Sequence, residues 1–438
     1  MERRDFIIKS ALAGSAVFAS PYVNAFNGAP NNKVIIGIMG TNGRGGYLAT
    51  LFSALPDVEV GYICEVDENV LQKTIAAVES LTGKKPKGFK DVRKLLEEKD
   101  LDAIAVAAPD HWHAPAALMG VKAGKHVYVE KPCSHNPAEG EILVKAAAKY
   151  GKLIQMGNQR RSWPGVQEAI QSLKEGAIGR PYYAQGWYAN SRKSIGIGNE
   201  VAVPSTLDFD LWQGPAPRKA YRDNLIHYNW HWFWHWGTGE ALNNGTHELD
   251  VMRWGLGVEY PTKVVSGGGR FHYKDDWQTP DTQTISYEFS NNTAISWEGR
   301  SCNGFRQEGA GRGVIFYGEQ GTLVIPGGDS YRIYDMENKL VKEMKSPLDT
   351  EETTNTTGMG EKLDSLHLIN FVNTIREKDK LHSPIAEGFK STLLPQLGNI
   401  AYRSGKALAV DSTGRISDKK IMDELWAREY EKGWEMKL

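Results

Sequence analysis

The chain has little cysteine and no excess of either charge. Its 438 residues include three cysteines, an odd and sparse set that gives no disulfide framework: Cys64, Cys133 and Cys302. The 52 lysines and arginines nearly balance the 53 aspartates and glutamates, so the formal charge is -1 and there is no basic excess to indicate nucleic-acid binding. We find no internal repeat. A chain that is 41% hydrophobic and 24% charged suits a two-domain soluble protein with an ample core.

The first residues resemble an export signal. Arg3 and Arg4 precede the stretch Ser10 to Ser20, which is moderately apolar but too short to span a bilayer as a mature anchor. Val23-Asn24-Ala25 offers a small-residue cleavage site, and no cysteine lies near it, which argues against a lipoprotein. We therefore predict a twin-arginine signal peptide over residues 1–25, export of the folded protein to the periplasm and no stable membrane anchor. The alternative is an N-terminal amphipathic helix.

A glycine-rich turn follows the first predicted strand. Lys33 to Met39 is apolar enough for a buried strand, and a helical pattern resumes at Tyr47. Glycines between them allow a sharp turn and let backbone N–H groups approach a pyrophosphate at the helix N-terminus. Asparagine stands where the dinucleotide-binding fingerprint has its second glycine, so an ordinary turn is the alternative. The predicted cofactor-binding residues of this turn are Gly40, Asn42, Gly43, Arg44 and Gly45.

An acidic residue closes the second predicted strand, Val58 to Cys64. Glu65 lies twenty residues after Gly45, the spacing at which a carboxylate binds the adenosine ribose. Because a carboxylate repels a 2′-phosphate, we predict NAD rather than NADP. The alternative is that Glu65 and Asp67 are the N-terminal charges of the next helix.

Alternating strands and helices continue to a lysine at the end of another strand. The helix from Val92 and the strand Ala103 to Ala108 are followed by a helix and by the strand before Glu130-Lys131-Pro132. This order predicts a doubly wound parallel sheet. Because proline ends the strand ladder, Lys131 lies at the carboxyl rim, where ligands bind in such sheets, although a surface lysine is the alternative. Asp110 and His113 follow the preceding strand at the same rim, where His113 is either a pocket residue or a packed histidine.

These motifs resemble the glucose-fructose oxidoreductase, inositol dehydrogenase and rhizopine catabolism family (Gfo/Idh/MocA). The resemblance extends through Met156 to Arg161, Gly239 to Asp250 and Gly398 to Arg403. It implies an NAD-binding Rossmann domain over residues 31–156 and, over residues 157–438, an α/β domain with a large, open, mainly antiparallel sheet. It also implies a sugar or polyol substrate and a homodimer or homotetramer. Further cofactor-binding residues are expected at Glu130, Lys131, Asn158 and Gln159, and a substrate-binding residue at Arg161.

The family pairs the lysine of Glu-Lys-Pro with an Asp-x-x-x-His motif, and this chain departs from that motif. His247 is retained, but Asn243 replaces the aspartate. An amide can orient a hydroxyl but cannot take its proton, so acid/base work falls on Lys131 or His247. Burial and a positive nicotinamide ring would favour a neutral lysine that acts as the base. The alternative for His247 is a satisfied histidine at the start of a helix that ends near Trp254.

Four tryptophans alternate between Trp230 and Trp236. Period two predicts an extended segment with aromatic faces for a sugar ring, and we expect substrate contacts from Trp232, Trp234, His235 and Asn243. The alternative is that the tryptophans fill a domain interface. Histidines recur every four residues from His227, but the alternation argues against a helix, and hydride transfer needs no metal, so we predict none.

Longer alternating strands are predicted beyond Gly157, which is typical of a sheet with one covered face. They are Tyr182 to Ala189, Thr262 to Tyr273, Thr282 to Phe289, Thr293 to Arg300 and Gly313 to Tyr317. Helices Leu366 to Arg376 and Gly388 to Leu408 follow a polar segment, Thr350 to Lys362.

Export suggests how such an enzyme works. Nicotinamide nucleotides are kept in the cytoplasm, so a folded exported enzyme would carry its cofactor with it and regenerate it in place. The first hypothesis is a sugar or glycoside oxidoreductase with a tightly bound, recycled NAD. The second is a redox-neutral glycosidase that oxidises a sugar carbon transiently, and the third is a non-catalytic sugar-binding protein.

Overall fold

The computed structural model describes residues 33–348 and 361–438, which form two sheets joined by helices. The predicted signal peptide over residues 1–25 and nearly all of the polar segment from Thr350 lie outside the described residues. Among the described helices, none combines the length and the apolar character needed to cross a bilayer.

The first sheet has six parallel strands in the order β3-β2-β1-β4-β5-β6, which confirms the doubly wound prediction. Its strands are β1 Val34–Met39, β2 Val58–Cys64, β3 Lys87–Phe89, β4 Ala103–Val106, β5 His126–Val129 and β6 Ile154–Met156. Its helices are α1 Arg44–Ser53, α2 Glu68–Thr82, α3 Val92–Leu95, α4 Asp110–Lys122 and α5 Pro137–Tyr150. All four residues of β4 are buried, as expected for a central strand covered on both faces. The carboxyl ends of β1, β2, β4 and β5 therefore face one crevice.

The second sheet has nine strands in the order β14-β13-β12-β11-β7-β10-β9-β8-β15. Only β7 and β10 pair in parallel, so the sheet is mainly antiparallel, as predicted. Its strands are β7 Pro181–Ala189, β8 Lys263–Gly269, β9 Thr282–Glu288, β10 Ala294–Arg300, β11 Arg312–Gly318, β12 Thr322–Ile325, β13 Tyr331–Tyr334, β14 Leu340–Met344 and β15 Leu408–Ala409. Strand β9 alternates buried and exposed residues, which is the pattern of a sheet covered on one face. The predicted homodimer or homotetramer stays a prediction.

Helices from the second half of the chain tie the two sheets together. They are α6 Pro164–Lys174, α7 Phe209–Gln213, α8 Gly239–Asn243, α9 Gly245–Leu256, α10 Glu361–Ile375, α11 Ile385–Ser404 and α12 Lys419–Leu425. Leu368, Phe371 and Val372 of α10 join the hydrophobic core of the first sheet. Leu393 and Leu397 of α11 lie in the larger core that spans both sheets. The first sheet is therefore completed by a helix that lies more than 200 residues further along the chain.

Residues 205–236 cross the carboxyl end of β2, and we call this segment the strap. The main chain of Glu68 donates to Thr206 O at 2.9 Å, and Asp208 N donates to Val66 O at 3.0 Å. The strap has its own apolar cluster, which includes Phe209, Trp212 and Trp236.

The predicted extended Trp segment is wrong. Asn229–Trp232 is a 3-10 helix followed by turns, with no strand. The alternation of tryptophans instead distributes large rings over several small packing sites. Trp232 stacks on Trp277 with ring centroids 3.9 Å apart, while Trp230 packs with the strap cluster. Because each ring fills a separate packing site, the alternation of tryptophans does not reflect the two faces of a strand.

Candidate active site

A large cleft follows the carboxyl rim of the first sheet and is bordered on its far side by the second domain and the strap. Its empty volume is about 1830 Å³, including its open mouth. The cleft runs from the glycine turn and the end of β2 to Lys131, Asn243 and His247. Most of the residues predicted from the sequence line it, namely Gly40, Asn42, Gly43, Arg44, Glu65, Asp110, His113, Glu130, Lys131, Gln159, Asn243 and His247.

The glycine turn has the geometry of a phosphate-binding loop. Gly40 and Gly43 have φ of 77° and 79°, so these two glycines, and not Asn42, adopt the left-handed backbone. A Cβ at Gly45 would lie 1.9 Å from Gly40 O, whereas one at Gly43 would meet nothing within 4 Å. Helix α1 starts after Gly43 without a side-chain cap, which leaves its first N–H groups to face the cleft. The turn therefore fits a dinucleotide pyrophosphate at this helix N-terminus.

Glu65 lies at the end of β2 and is bound by backbone donors. Thr41 N donates to its Oε2 at 2.6 Å, and Val66 N and Asp67 N donate to Oε1 at 2.8 and 3.2 Å. These bonds hold the carboxylate beside the glycine turn, where the ribose of a bound dinucleotide would lie. Asp67, in contrast, caps α2 through Asn69 N at 3.0 Å. Asp67 therefore has the helix-capping role that the sequence left open for both acids, and the ribose contact of Glu65 stays a prediction.

Arg44 and Glu130 form an ion pair that connects the turn with the Glu-Lys-Pro motif. Arg44 Nε lies 2.8 Å from Glu130 Oε1, and its Nη1 lies 2.7 Å from Asp364 of α10. Gln159 Nε2 donates to the same Glu130 oxygen at 3.0 Å. Burial alone would raise the pKa of Glu130, but Arg44 and then Lys131 outweigh it and hold that pKa below its ordinary value. Arg44 and Glu130 therefore shape the cleft as a charged pair.

Lys131 lies at the inner end of the cleft against Asn243. Its Nζ donates to the main-chain oxygen of Asn243 at 2.5 Å and to the side-chain Oδ1 at 3.3 Å. Burial lowers the pKa of Lys131, although Glu130 and Asp110 oppose that shift. A partly buried lysine whose pKa is lowered exchanges a proton with a ligand hydroxyl more readily than an ordinary surface lysine.

His247 lies in the first turn of helix α9. Burial, followed by the charges of Arg312 and Lys131, holds its pKa well below the ordinary value, so the ring is neutral at neutral pH. No described residue gives its ring nitrogens a hydrogen bond. The described residues therefore do not satisfy the hydrogen-bonding groups of this ring, as the alternative for His247 had assumed.

Asp110 and His113 shape the rim next to Lys131. Thr238 Oγ1 donates to Asp110 Oδ2 at 2.5 Å, and burial raises the pKa of this carboxyl group. The ring nitrogens of His113 lie 2.6 and 2.7 Å from the main-chain oxygens of Pro132 and Ala108. His113 therefore connects the segments that follow β4 and β5 and also lines the cleft, so it is both a packed and a pocket residue.

Four of the five residues predicted to bind the substrate do not line the cleft. Arg161 Nη2 lies 2.7 Å from Asp250 and its guanidinium is buried, because the 3-10 helix Gln159–Ser162 turns the neighbouring Arg160 towards the cleft instead. Trp232 is buried against Trp277. The other two are held by the fold: His235 Nε2 contacts Pro217 O at 2.7 Å, and Trp234 lies under Arg403. The structure places these four side chains away from the cleft lining, and their substrate contacts stay predictions.

Asn158, predicted to contact the cofactor, is buried behind the cleft wall. Neither atom of its amide has a partner among the described residues.

The sequence analysis missed several residues that do line the cleft. The strap contributes Trp212, Tyr228, Trp230 and His231, and the second sheet contributes Arg312. Arg312 Nε donates to the wholly buried Glu248 at 2.8 Å. Tyr228, Trp230 and His231 lie one to four positions from the predicted Trp232, so the Trp-rich composition pointed to the right segment, whereas Trp212 lies twenty positions earlier. Within residues 33–348 and 361–438, no three His, Cys, Asp or Glu side chains form a group that could hold a metal ion.

Comparisons with known proteins agree with this geometry. The Gfo/Idh/MocA oxidoreductase family model for the NAD-binding Rossmann fold matches residues 8–158, and the model for the C-terminal α/β domain of that family matches residues 192–409. An inositol 2-dehydrogenase from Rubrobacter xylanophilus is 26% identical over 68% of this chain and 72% of its own length. A glycosyl hydrolase family 109 protein from Saccharopolyspora erythraea is 29% identical over 44% of this chain and 45% of its own length.

Solved structures show the same fold. Levoglucosan dehydrogenase, in complex with NADH and levoglucosan, has a TM-score of 0.65 at 17% identity, covering 86% of this chain and 99% of that one. An oxidoreductase from Agrobacterium radiobacter, in complex with NAD⁺, L-tartaric acid and magnesium, has a TM-score of 0.64 at 14% identity, covering 86% and 98%.

Proposed function

Because the chain belongs to the Gfo/Idh/MocA family of NAD-binding oxidoreductases, we propose that it oxidises a secondary alcohol of a sugar, glycoside or polyol. One observation carries this proposal. Lys131 Nζ lies against Asn243, at the inner end of the cleft that begins at the glycine turn. The similarity to an inositol 2-dehydrogenase and to levoglucosan dehydrogenase supports the substrate class.

One group of cleft residues would bind the cofactor, and a second group would carry out the proton transfer. Gly40, Gly43 and Gly45 would hold the pyrophosphate of NAD and Glu65 the ribose, and a bound nicotinamide would accept the hydride. Lys131 accepts the hydroxyl proton as the carbonyl forms, since burial favours its neutral form. The neutral ring of His247 fixes the reacting hydroxyl or passes the proton on, because its lowered pKa makes it an acceptor rather than an acid.

We also propose that NAD stays bound through the catalytic cycle. The strap covers the end of β2, where the adenosine would lie. His227 Nε2 of the strap lies 3.2 Å from Oδ2 of Asp67, which follows β2. Leu211, Trp212 and Tyr228 of the strap line the same cleft. A dinucleotide beneath this segment would need the strap to open before it could leave.

The export prediction is consistent with a retained cofactor but lies outside the described residues. We propose a periplasmic location, reached in the folded state. Exchanging Arg3 and Arg4 together for lysine should leave the precursor in the cytoplasm, because the paired arginines are the recognised feature of the leader. Recovery of the double variant in the periplasmic fraction at the level of the unaltered protein would contradict the proposal.

The second candidate is a redox-neutral glycosidase. Its support is the similarity to glycosyl hydrolase family 109 proteins from Saccharopolyspora erythraea and Solibacter usitatus, at 29% and 30% identity over parts of the chain. In such a cycle, transient oxidation acidifies the neighbouring C–H, so that the glycosidic oxygen is eliminated. Water then adds to the unsaturated ketone, and the carbonyl is reduced by the hydride taken up in the first step. Lys131 and His247 would supply the same proton transfers.

One experiment separates the candidates. The protein is purified, its nucleotide is identified after denaturation, and the absorbance of the bound nicotinamide is followed while sugars, polyols and glycosides are added singly. Reduction that persists until a ketone is added supports the dehydrogenase, and glycoside cleavage without net reduction supports the glycosidase. A bound nucleotide that responds to no member of a broad panel would contradict both and favour a sugar-binding protein.

A further inference from the structure

Asn243 lies between a cation and an anion. On one side, its Oδ1 accepts from Lys131 Nζ at 3.3 Å, and on the other its Nδ2 donates to Glu240 Oε1 at 3.3 Å. Glu240 is one turn earlier on α8, so the two side chains lie on the same face of this short helix.

The carboxylate of Glu240 is held rigidly by other donors. Arg192 Nε donates to Oε2 at 2.7 Å, Ser301 Oγ to Oε2 at 3.0 Å and Asn244 Nδ2 to Oε1 at 2.5 Å. Burial would raise the pKa of Glu240, but Arg192 and these hydrogen bonds outweigh it and keep that pKa below its ordinary value. An ionised carboxylate only accepts, so the Asn243 amide must turn its NH₂ group towards Glu240 and its oxygen towards Lys131.

That orientation matters for the lysine. A neutral amine has two N–H groups and one lone pair. With both N–H groups donated to the main-chain and side-chain oxygens of Asn243, the lone pair is left for a ligand hydroxyl. A flipped amide would place its NH₂ group against the lysine and displace one of these bonds.

We infer that Glu240 is a positioning residue for Lys131, acting through the amide of Asn243. Where the family motif has an acid at position 243, this chain has an amide there and an acid at position 240. The pairing accounts for Asn243, because an aspartate there would face the Glu240 carboxylate across a hydrogen-bond distance. The catalytic consequence depends on the proposed function, but the electrostatic arrangement does not.

The test measures the titration of Lys131 without turnover. In the NAD-bound protein, the pH dependence of its acylation by acetic anhydride is followed by mass spectrometry of the Lys131 peptide. Asn243→Asp should raise the pKa of Lys131 by about one unit or more, since a carboxylate replaces the amide oxygen. It should also lower the melting temperature, and adding Glu240→Gln should restore much of that loss by removing the repulsion between the two acids.

Glu240→Gln alone should lower the pKa of Lys131, because the Asn243 oxygen is no longer held towards the ammonium. Single-turnover reduction of bound NAD should slow about tenfold, the effect of one lost hydrogen bond, with unchanged NAD affinity. The matched control is Glu139→Gln. Glu139 is also a buried glutamate held by an arginine, Arg428 at 2.8 Å, but its other partners are Tyr430 and the main chain of His135 rather than Asn243.

Two results would overturn the inference: an Asn243→Asp protein with the stability and Lys131 titration of the unaltered one, or a Glu240→Gln protein whose Lys131 titrates as in the Glu139→Gln control. If no sugar, polyol or glycoside is turned over, the proposed function fails, yet the titration still decides the role of Glu240.

Discussion

Replacing Lys131 by methionine should remove proton transfer while leaving the cleft intact. Methionine keeps much of the bulk of the side chain, so no large cavity opens. The variant leaves two oxygens of Asn243 without their donor, at a cost of about 1 kcal/mol each, and removes an amine whose burial was itself unfavourable. The fold should therefore survive. Loss of a positioned base slows hydride transfer by ~10²-fold or more, which corresponds to about 2.7 kcal/mol of barrier.

Stopped-flow reduction of prebound NAD isolates this step from product release. In the unaltered protein, the rate of alcohol oxidation should rise with pH through a pKa below the ordinary lysine value, because the deprotonated amine is the active form and burial lowers that pKa. Lys131→Met should lose this limb of the profile. NAD affinity, measured by calorimetry on the stripped protein, should change little.

Lys125→Met is the matched control. Lys125 is also buried, and its Nζ donates to Glu98 O at 2.9 Å and to Leu101 O at 2.8 Å, away from the cleft. Its loss should lower stability without slowing hydride transfer. The assignment of Lys131 as the base is refuted if its methionine variant transfers hydride at the rate of this control with the same pH profile. The role would then pass to His247.

Three further predictions follow from the cleft and its surroundings. Glu65→Ser should weaken NAD binding about tenfold or more and relatively favour NADP, since it removes the carboxylate expected at the ribose; unchanged affinity by calorimetry would make Glu65 purely a backbone anchor. His227→Ala should speed NAD release, measured by exchange with labelled NAD, because the strap loses its contact with Asp67; an unaltered release rate would show that this contact does not retain the cofactor. Burial holds the pKa of His135 and His247 well below the ordinary value, so below about pH 6.5 the unfolded chain binds more protons than the folded one. As the pH is lowered from there, the free energy of unfolding should fall by about 1.4 kcal/mol per pH unit for each histidine. A melting temperature constant down to about pH 5 would contradict this last expectation.

The sheets were predictable because their signals are local. A buried parallel strand is a short apolar run, and a strand with one covered face alternates, so periodicity alone placed β1, β2, β4, β9 and β10. The glycine turn was also predictable, since it depends on backbone conformations that few other residues allow.

The errors arose where packing, rather than period, decides the conformation. Trp232 and Trp234 alternate with other aromatic residues, but their positions are set by Trp277 and Arg403, which are distant in sequence. Arg161 lies next to Arg160, which lines the cleft, and because a 3-10 helix turns by about 120° per residue the two neighbouring side chains point in different directions. The role of α10 in completing the first sheet, and the approach of Glu240 to Asn243 and Lys131, depend on tertiary contacts that no local pattern encodes.

The positions of the charged groups around Lys131 explain why an amide, rather than the acid of the family motif, stands at position 243. Each carboxylate near Lys131 is held by other donors: Glu130 by Arg44, Glu240 by Arg192 and Asp110 by Thr238. The group in direct contact with the amine is instead the neutral Asn243, and no carboxylate of residues 33–348 and 361–438 lies within hydrogen-bond distance of Nζ to stabilise the ammonium. An aspartate at position 243 would raise the pKa of Lys131 and shift the equilibrium away from the form that accepts a proton. An amide oriented by a more distant acid keeps the directional contact and avoids the added charge, which favours a lysine that both accepts and returns a proton near neutral pH. Reversible proton transfer of this kind is required by a cofactor that is reduced and reoxidised in place.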